Sequence, residues 1–238
     1  MTDRQKLASA IRGNIPGGKI PAAALPAFDA LADALGLPRD EATRLGALSA
    51  QYETGGCGPG TVSTGVGDPG GVSYGSYQLA SKTGTATAFV RAEGAAWPQL
   101  GHAPPGSPAF SAVWWDIAAR EPQAFDDAQH AFIERTHYRP VVAAVLARTG
   151  LDLDARAQPI RDAVWSIAVQ HGKAADILAD ALATRPQGDE ATLRAIYAAR
   201  SAYVRKVAER STGANRRTLL SVVENRYPSE LAQALAAL

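Results

Sequence analysis

Apolar residues recur along most of this chain with the spacing of an amphipathic α-helix. Leu45, Leu48 and Tyr52 stand at positions i, i+3 and i+7, so they share one helix face. With glycine and proline taken as stop and start signals, the same pattern predicts a chain built mainly of helices. The predicted helices cover residues 4–12, 22–35, 38–54, 85–93, 109–120, 122–135, 141–148, 160–170, 174–182, 189–207, 217–225 and 229–238.

One segment interrupts the helical pattern. Residues 54–73 contain eight glycines and two prolines, which is too long and too glycine-rich for a plain connector. Thr61–Thr64 and Val72–Gln78 are rich in residues that favour strands, and they flank the sequence GVGDPGG. We therefore predict a small β-hairpin or irregular sheet with GVGDPGG at its tip, inserted early in an α-rich body.

Composition and charge narrow the classes of function. The 24 basic and 23 acidic residues give a net charge of +1, which provides no strong field to hold nucleic acid, and we expect no such partner. The single cysteine, Cys57, excludes an intramolecular disulfide. The N-terminus lacks the apolar run of a signal peptide, and no stretch reaches the length of a transmembrane helix. We therefore expect synthesis in the cytoplasm and no stable membrane insertion.

Basic residues are concentrated in the last fifth of the chain. We interpret them as a solvated helix face rather than a surface for a polyanion. They are Arg194, Arg200, Arg205, Lys206, Arg210, Arg216, Arg217 and Arg226.

Glu53 is the first candidate for a catalytic residue. It falls on the last turn of the predicted helix that carries Leu45 and Tyr52. The carbonyl end of a helix disfavours a carboxylate, and packing beside a core helix removes water, so both effects raise a carboxyl pKa. A carboxylic acid that stays protonated near neutral pH is what a glycosidase needs to protonate the leaving oxygen.

Asp68 is the candidate for a second carboxylate. It is the only acidic residue between Thr54 and Arg91, and it stands in the glycine-rich tip. The two carboxyls lie about 5 Å apart in retaining glycosidases and about 6.5–9.5 Å apart in inverting ones. A long glycine loop favours the wider gap and inversion. Taken alone, the pair is a weak signal, because Asp-Pro-Gly is usually a simple turn.

Residues 52–85 resemble the active-site segment of the lysozyme-like superfamily, which includes goose-type lysozymes, lytic transglycosylases and chitosanases. In that group a catalytic glutamate ends a helix, a glycine-rich β segment follows, and an aromatic turn leads into the next helix. The matching pieces here are ETGG at 53–56, GDPGG at 67–71 and SYGSYQL at 73–79, with weaker likeness at 128–140, 163–172, 195–204 and 225–230. Within the superfamily the chain looks most like phage endolysin-like muramidases and the C-terminal muramidase domains of type VI secretion spike proteins.

The resemblance implies a mainly α, lysozyme-like α+β domain over residues 38–238, with a small glycine-rich β-hairpin region beside the catalytic helix. It implies cleavage of a β-1,4 bond between amino sugars of peptidoglycan, without a cofactor. Glu53 would be the general acid, and Asp68 would position or deprotonate the attacking water. Residues 1–37 lie beyond the resemblance, and we predict a separate helical extension there. The expected substrate contacts are Ser73, Tyr74, Tyr77, Gln78, Gln170 and His171.

Partners and location follow from the same resemblance. We expect a monomer that acts on peptidoglycan glycan strands in the periplasm or cell wall. It would arrive there through a phage holin pore or by delivery from a secretion apparatus. An immunity protein or a secretion carrier is then an expected partner.

Other functions stay open on the sequence alone. Cys57, with His171 and either Asp176 or Asp180, would suit a cell-wall amidase. A position after a helix end, however, disfavours a thiolate. A lytic transglycosylase, a chitosanase-like hydrolase and a cell-wall binding module without activity are further alternatives. Peptidoglycan is favoured over chitosan, because a polycationic substrate suits a markedly acidic protein.

Histidines and tryptophans give secondary expectations. His171 closes an apolar helix, either as a core histidine or as a residue that orients the substrate. His130 and His137 have a spacing that can bind zinc, but no second cluster of ligands supports it, and we predict no metal site. Trp165 is predicted to be core, and only one of Trp114 and Trp115 can face inwards, because neighbouring helical positions do not share a face.

Overall fold

The computed structural model describes residues 3–15, 24–37, 44–46 and 58–238. Within these residues two short antiparallel strands, β1 (Ser73–Tyr74) and β2 (Leu79–Ala80), accompany a large set of helices. The predicted fold class, mainly α with a small hairpin, is therefore confirmed. The helices are α1 (Asp3–Gly13), α2 (Leu25–Ala34), α3 (Thr85–Glu93), α4 (Pro108–Arg120), α5 (Pro122–Ile133), α6 (Arg139–Thr149), α7 (Gln158–Gln170), α8 (Ala174–Ala183), α9 (Gly188–Glu209), α10 (Gly213–Ser221) and α11 (Tyr227–Ala236).

Helices α4, α5, α7 and α11 each start with a proline at the first or second helical position. Helix α4 starts after Ser107, whose Oγ accepts a hydrogen bond from Phe110 N–H at 3.2 Å, and Pro108 occupies the first helical position. Two π-helical turns, Glu134–Tyr138 and Val222–Arg226, continue α5 into α6 and α10 into α11. The sequence pattern predicted helix ends near both places, because proline was taken as a helix-start signal and Pro140 and Pro228 follow the two turns.

The chain divides into two compact units. Gln51–Val141 forms one, called here the hairpin unit, and Met1–Ala50 with Val142–Leu238 forms the other, called the helical unit. The predicted domain division at residue 38 stays a prediction. The predicted helix over residues 38–54 lies almost wholly outside the described residues.

The hairpin unit has an aromatic core. Phe89, Phe110, Trp114 and Phe125 have no exposed surface, and the Trp114 ring lies 4.6 Å from that of Phe125, centroid to centroid. Tilted and edge-on ring pairs of this kind add about 0.5–1.5 kcal/mol each beyond their buried area. Trp115, the next residue, is 54% exposed, so the expectation that the two neighbouring tryptophans face opposite ways is confirmed.

The helical unit is built around the 22-residue helix α9, which packs against α7, α8, α10 and α11. Helix α7 is almost wholly buried, as its apolar sequence predicts, and Trp165 in its middle is core. At its N-terminal end, the Asp162 carboxylate accepts a hydrogen bond from Gly46 N–H at 2.8 Å. These contacts tie residues 44–46 to the helices that follow residue 142.

Charged residues form part of the core of the helical unit. Arg200 and Glu230 have no exposed surface, and Arg200 Nη1 donates to Glu230 Oε2 at 3.1 Å. Arg226 Nε donates to the other oxygen of Glu230 at 2.5 Å, and the Arg200 guanidinium lies 4.1 Å from the Tyr227 ring centroid. Ser166 also accepts from Arg200, at 2.8 Å. The interpretation of Arg200 as part of a solvated basic face is therefore wrong, because its partners lie on other helices and draw it into the core.

Among the described residues, no helix is both long enough and apolar enough to cross a bilayer.

Candidate active site

The glycine-rich segment forms the predicted small sheet. Strand β1 pairs with β2, with Ser73 opposite Ala80, and on its other edge Val62 bridges to Tyr74. The predicted small sheet is confirmed, but its two strands are joined by the turn at residues 75–78, so the prediction of GVGDPGG at the hairpin tip is wrong. Residues 64–72, which contain GVGDPGG, form a separate loop that the Val62–Tyr74 bridge closes. Strand β2 was not predicted, because the predicted strand-like stretch ended at Gln78.

Asp68 lies exposed on this loop. Its Oδ1 accepts a hydrogen bond from Gly70 N–H at 2.7 Å, and its carbonyl accepts one from Gly71 N–H at 3.0 Å. Gly71 has a φ of +77°, and a Cβ there would lie 2.6 Å from Ser81 Oγ, so any side chain at this position would be strained and crowded. The loop backbone thus fixes one carboxylate oxygen, while the other accepts no hydrogen bond from the described part of the chain.

The turn at residues 75–78, between β1 and β2, is hydrogen-bonded to helix α5. Gln129 is fully buried, and its Oε1 accepts a hydrogen bond from Ser76 N–H at 3.0 Å. Ser76 Oγ donates to Asp126 Oδ1 at 2.6 Å. Gly75 has a φ of +74°, and a Cβ there would lie 2.0 Å from Gln129 Oε1. The close approach of turn and helix therefore requires glycine at this position.

The same glutamine reaches a second segment. Gln129 Nε2 donates to the Pro59 carbonyl at 3.1 Å, and Trp114 Nε1 donates to that carbonyl at 2.7 Å. Pro59 belongs to the stretch that follows Glu53 in the chain. We call Pro59, Ser76, Trp114 and Gln129 the brace. It joins the hairpin turn and the glycine-rich stretch to α4 and α5 through hydrogen bonds of the buried Trp114 and Gln129 side chains, which are costly to leave unmade.

Two of the predicted substrate contacts are buried within the hairpin unit. Tyr74 has no exposed surface, and its hydroxyl lies 2.9 Å from Ser111 Oγ and accepts a hydrogen bond from Gly106 N–H at 2.9 Å. Ser73 is 5% exposed. Both side chains support the sheet from within, and they offer a ligand little or no surface in this conformation.

Two others lie in the turn that the brace holds. Tyr77 is half-buried, with its ring 6.1 Å from that of His130, and Gln78 is exposed. Gln78 has a φ of +53°, a left-handed conformation that costs a non-glycine residue roughly 1 kcal/mol or more. Strain of this kind is typical of positions where a side chain serves a ligand site. The structure thus brings Tyr77 and Gln78 together at an accessible turn.

Gln170 and His171 belong to the helical unit, at the end of α7. Gln170 Oε1 accepts a hydrogen bond from Arg200, and His171 Nε2 lies 3.3 Å from the Tyr227 hydroxyl. Burial, reinforced by the Arg200 and Arg226 cations, lowers the pKa of His171 to about 4. His171 is therefore uncharged near neutral pH, with the contacts of a histidine packed within its own unit. A role for either residue in orienting substrate stays a prediction.

Two predicted chemical groups are not described. Glu53 and Cys57 lie outside the described residues, so the distance between the predicted acid and Asp68 stays a prediction. Within the described ranges, no cluster of three or more histidine, cysteine, aspartate or glutamate side chains is arranged to hold a metal ion.

The brace was missed by the sequence reasoning. Gln129 stands in helical register with Phe125 and Phe132, so a polar side chain occurs on an otherwise apolar face. A buried amide needs hydrogen-bond partners, and this need is the signal that could have marked Gln129. Its partners lie 53 and 70 residues away along the chain, and no local pattern identifies them.

Comparison with known proteins decides the family. The family described as type VI secretion system spike protein VgrG3-like, C-terminal, matches residues 45–230, which is more than half of the chain. The chain belongs to this family. Among curated proteins, the type VI secretion system spike protein VgrG3 of Vibrio cholerae serotype O1 is 39% identical over 138 residues, or 58% of this chain. The chain covers 13% of the length of that relative.

Membership in the VgrG3-like C-terminal family confirms the resemblance to spike-protein C-terminal domains. The matched range contains Glu53, the Asp68 loop, the brace and the end of α7. Residues 1–44 lie before it, in agreement with the limited reach of the resemblance at the N-terminus.

Proposed function

We propose that this chain is a peptidoglycan hydrolase that cuts the β-1,4 bond between amino sugars, with Glu53 as the general acid. The observation that carries the proposal is the family match over residues 45–230, which spans Glu53 and the exposed Asp68 loop. That same stretch resembles the active-site segment of lysozyme-like enzymes. A mainly helical fold with one glycine-rich hairpin agrees with such an enzyme.

The Asp68 loop suits the second role in glycoside hydrolysis. The carboxylate is exposed, and glycines on both sides of it leave room for a bulky sugar chain. The hydrogen bond from Gly70 N–H fixes its orientation while one oxygen stays available for a water. In an inverting mechanism that water attacks the sugar from the face opposite the acid. We therefore propose Asp68 as the residue that positions or deprotonates water.

The brace supports the proposed site by holding its parts in place. The catalytic and binding side chains of an enzyme must be held within about 0.5 Å of their productive positions. This needs neighbouring side chains that are fixed by packing and by further hydrogen bonds. Gln129 links the Tyr77–Gln78 turn to the backbone at Pro59 in this manner. We propose that Tyr77 and Gln78 contact the sugar rings.

Family membership also guides the proposed route to the substrate. We propose that a type VI secretion apparatus delivers the chain to the periplasm of a target cell, as the C-terminal part of a spike protein or with a carrier. An immunity protein in the producing cell is the expected partner. Expression in a Gram-negative host tests whether the chain acts in the periplasm. The chain fused to an export signal should lyse cells, and the unfused chain should not.

The central experiment compares wild type with Glu53→Gln on purified peptidoglycan. We expect wild type to release disaccharide-peptides with free reducing ends and Glu53→Gln to release about a hundred- to ten-thousandfold less, since loss of a general acid removes about 10²–10⁴-fold. Mass spectrometry of the fragments identifies the bond that was cut. Asp68→Asn should lower turnover strongly if Asp68 handles the water.

Cys57→Ser is the matched control, because it changes a neighbouring residue of the same segment and should leave a glycosidase active. Peptides released from intact glycan, with activity lost in Cys57→Ser, would show an amidase instead. Anhydro ends would mean a lytic transglycosylase. Unchanged release by Glu53→Gln would refute the proposal.

A further inference from the structure

The helical unit contains a cavity that the proposed reaction does not use. Its volume is about 700 Å³, within the usual range for small-ligand sites. Its walls come from the end of α6 and the following loop, with Arg148 and Arg156, and from the last turns of α8, with Leu182. The loop of residues 185–188, which leads into α9, closes the wall.

Arginine side chains supply the charged groups of the cavity lining, and two of the three are paired with aspartates next to it. Three arginines line it, and none of the lining residues is acidic. Arg156 donates from Nε and Nη2 to Asp189, at 2.9 and 2.5 Å, and Arg148 donates from Nη1 to Asp176 at 2.7 Å. Each guanidinium has five N–H donors, so both arginines are held in place and still keep donors for a ligand.

Arg185 is the third arginine, and it differs from the other two. Its side chain is exposed, and its guanidinium pairs with no group in the described ranges. Its backbone has a φ of +49°, and Gln187 Nε2 donates to its carbonyl at 3.0 Å. A left-handed backbone is strained for a non-glycine residue. The cavity rim therefore carries an uncompensated cation at a strained position.

The remaining lining selects among anions. Leu151, Leu182, Ala179 and Ala183 give the cavity an apolar wall of small and medium side chains. Guanidinium groups match planar carboxylates, and an apolar wall favours a ligand that also carries methyl groups. A nucleic acid needs a longer cationic track than three arginines provide. The lining therefore fits a short peptide with carboxylates and small apolar side chains.

We propose that this cavity binds a short carboxylate-bearing peptide, with Arg185 as its main anchor. The choice of peptide rests on the proposed function, because peptidoglycan glycan strands carry short peptides in which alanines alternate with residues that bear free carboxylates. The cavity would then bind the peptide part of the substrate, while the proposed active site cleaves the bond between its sugars.

The test is calorimetric titration with the sugar-free tetrapeptide of peptidoglycan. Arg185→Gly removes the guanidinium and relaxes the left-handed backbone, so this variant should fold at least as well as wild type. We expect Arg185→Gly to bind the tetrapeptide at least fivefold more weakly, and Arg185→Gly with Arg148→Gln to bind it more weakly still. Arg210→Gln, a change at the opposite end of α9, is the control and should bind as wild type does.

Several outcomes would overturn the proposal. They are no binding by wild type at millimolar peptide, equal binding by Arg185→Gly, and equal binding of a tetrapeptide whose carboxylates are amidated. Equal affinity for inorganic phosphate would mean a general anion site and would remove the peptide assignment. The tetrapeptide contains no glycosidic bond, so these results stand apart from whether Glu53→Gln stops cleavage.

Discussion

The two units of this chain bury different kinds of side chain in their cores. The hairpin unit packs aromatic rings around Trp114, and attraction between them depends on area and on ring geometry. The helical unit buries Arg200 and Glu230 beside each other. Buried charges stabilise a fold only while every partner is present, because desolvation of each ion is expensive. Removing one ring from the aromatic core should therefore lower the free energy of unfolding in proportion to the size of that ring. Removing one charge from the buried ion pairs should destabilise the helical unit more than the lost contact alone, because its partner is left buried without a counter-ion.

The largest expected effect tests this difference directly. Glu230→Leu leaves two guanidinium groups without a counter-ion and should cost about 3–5 kcal/mol of unfolding free energy. Adding Arg200→Met removes the uncompensated buried charge, since the half-buried Arg226 can turn towards water, and should recover most of that loss. Urea unfolding of the single and double variants measures both.

The aromatic core supplies the contrast for that experiment. Trp114→Ala should cost a similar 3–5 kcal/mol, and a second truncation, Phe125→Ala, should increase the loss instead of relieving it. If the pair Glu230→Leu with Arg200→Met is as unstable as Glu230→Leu alone, the contrast between the two cores is wrong.

A smaller effect concerns the link between the aromatic core and the proposed site. Trp114→Phe keeps a buried ring but removes the donor to the Pro59 carbonyl, which should cost about 1–3 kcal/mol and slow peptidoglycan cleavage. Trp115→Phe is the matched control at the adjacent, exposed position, and should change stability by less than about 0.5 kcal/mol. Equal effects at the two positions would show that the brace does not position the hairpin turn.

The helical unit should also respond to pH in a way that the aromatic core cannot. Burial raises the pKa of Asp162 to about 6 from an unfolded value of 3.8, so its contribution to stability is full below pH 3.8 and is lost as pH rises to about 6. Burial lowers the pKa of His171 to about 4 from 6.5, so its contribution is full above pH 6.5 and is lost as pH falls to about 4. The two slopes oppose each other over nearly the same range.

In wild type the two opposing changes of unfolding free energy with pH should largely cancel. Each single variant should therefore show the pH dependence that the remaining group causes. Asp162→Asn should make stability fall as pH drops from about 6 to 4, and His171→Asn should make it fall as pH rises over that range. Each slope is at most about 1.4 kcal/mol per pH unit, the value for one linked proton. Thermal unfolding at half-unit pH steps measures it. Parallel pH profiles for wild type and both variants would contradict the cancellation.

The smallest expected effect lies at the strained turn. Gln78→Gly relieves the left-handed backbone and should raise stability by up to about 1 kcal/mol, while it removes a proposed sugar contact and slows cleavage severalfold. Arg185→Gly relieves the same kind of strain in the helical unit and should leave cleavage of glycan free of peptides unchanged. A Gln78→Gly variant that cleaves as fast as wild type would remove Gln78 from the proposed site.

Much of this architecture could be predicted where the chain carries a local signal. Helix geometry alone separates Trp114 from Trp115, and the glycine-rich segment with flanking strand formers marks the small sheet. The proposed chemistry rests on Glu53 and Asp68, which their positions in the sequence and the family resemblance both indicate.

Features with distant partners could not be predicted. The hydrogen bonds of Gln129 run to residues 53 and 70 positions away, and the partner of Arg200 lies 30 positions away. An arginine in an amphipathic pattern is ordinarily solvated, so nothing local distinguishes Arg200 from the basic residues around it. The π turn at Val222–Arg226 could likewise not be predicted. It adds one residue to a helical turn, and its own sequence, VVENR, contains no glycine or proline that would mark a change in the helix.

The brace has a consequence for the order in which the hairpin unit folds. Trp114 and Gln129 reach Pro59 across 55 and 70 residues, so the chain must close long loops before these bonds can form. Helices α4 and α5 form from local contacts on a much shorter timescale, and contacts of long range are the slow ones. The hairpin turn should therefore lock among the last events of folding, and hydrogen exchange at Ser76 N–H should become protected after the helical amides. A chain that has regained its helical circular dichroism will, for that interval, still lack an ordered site.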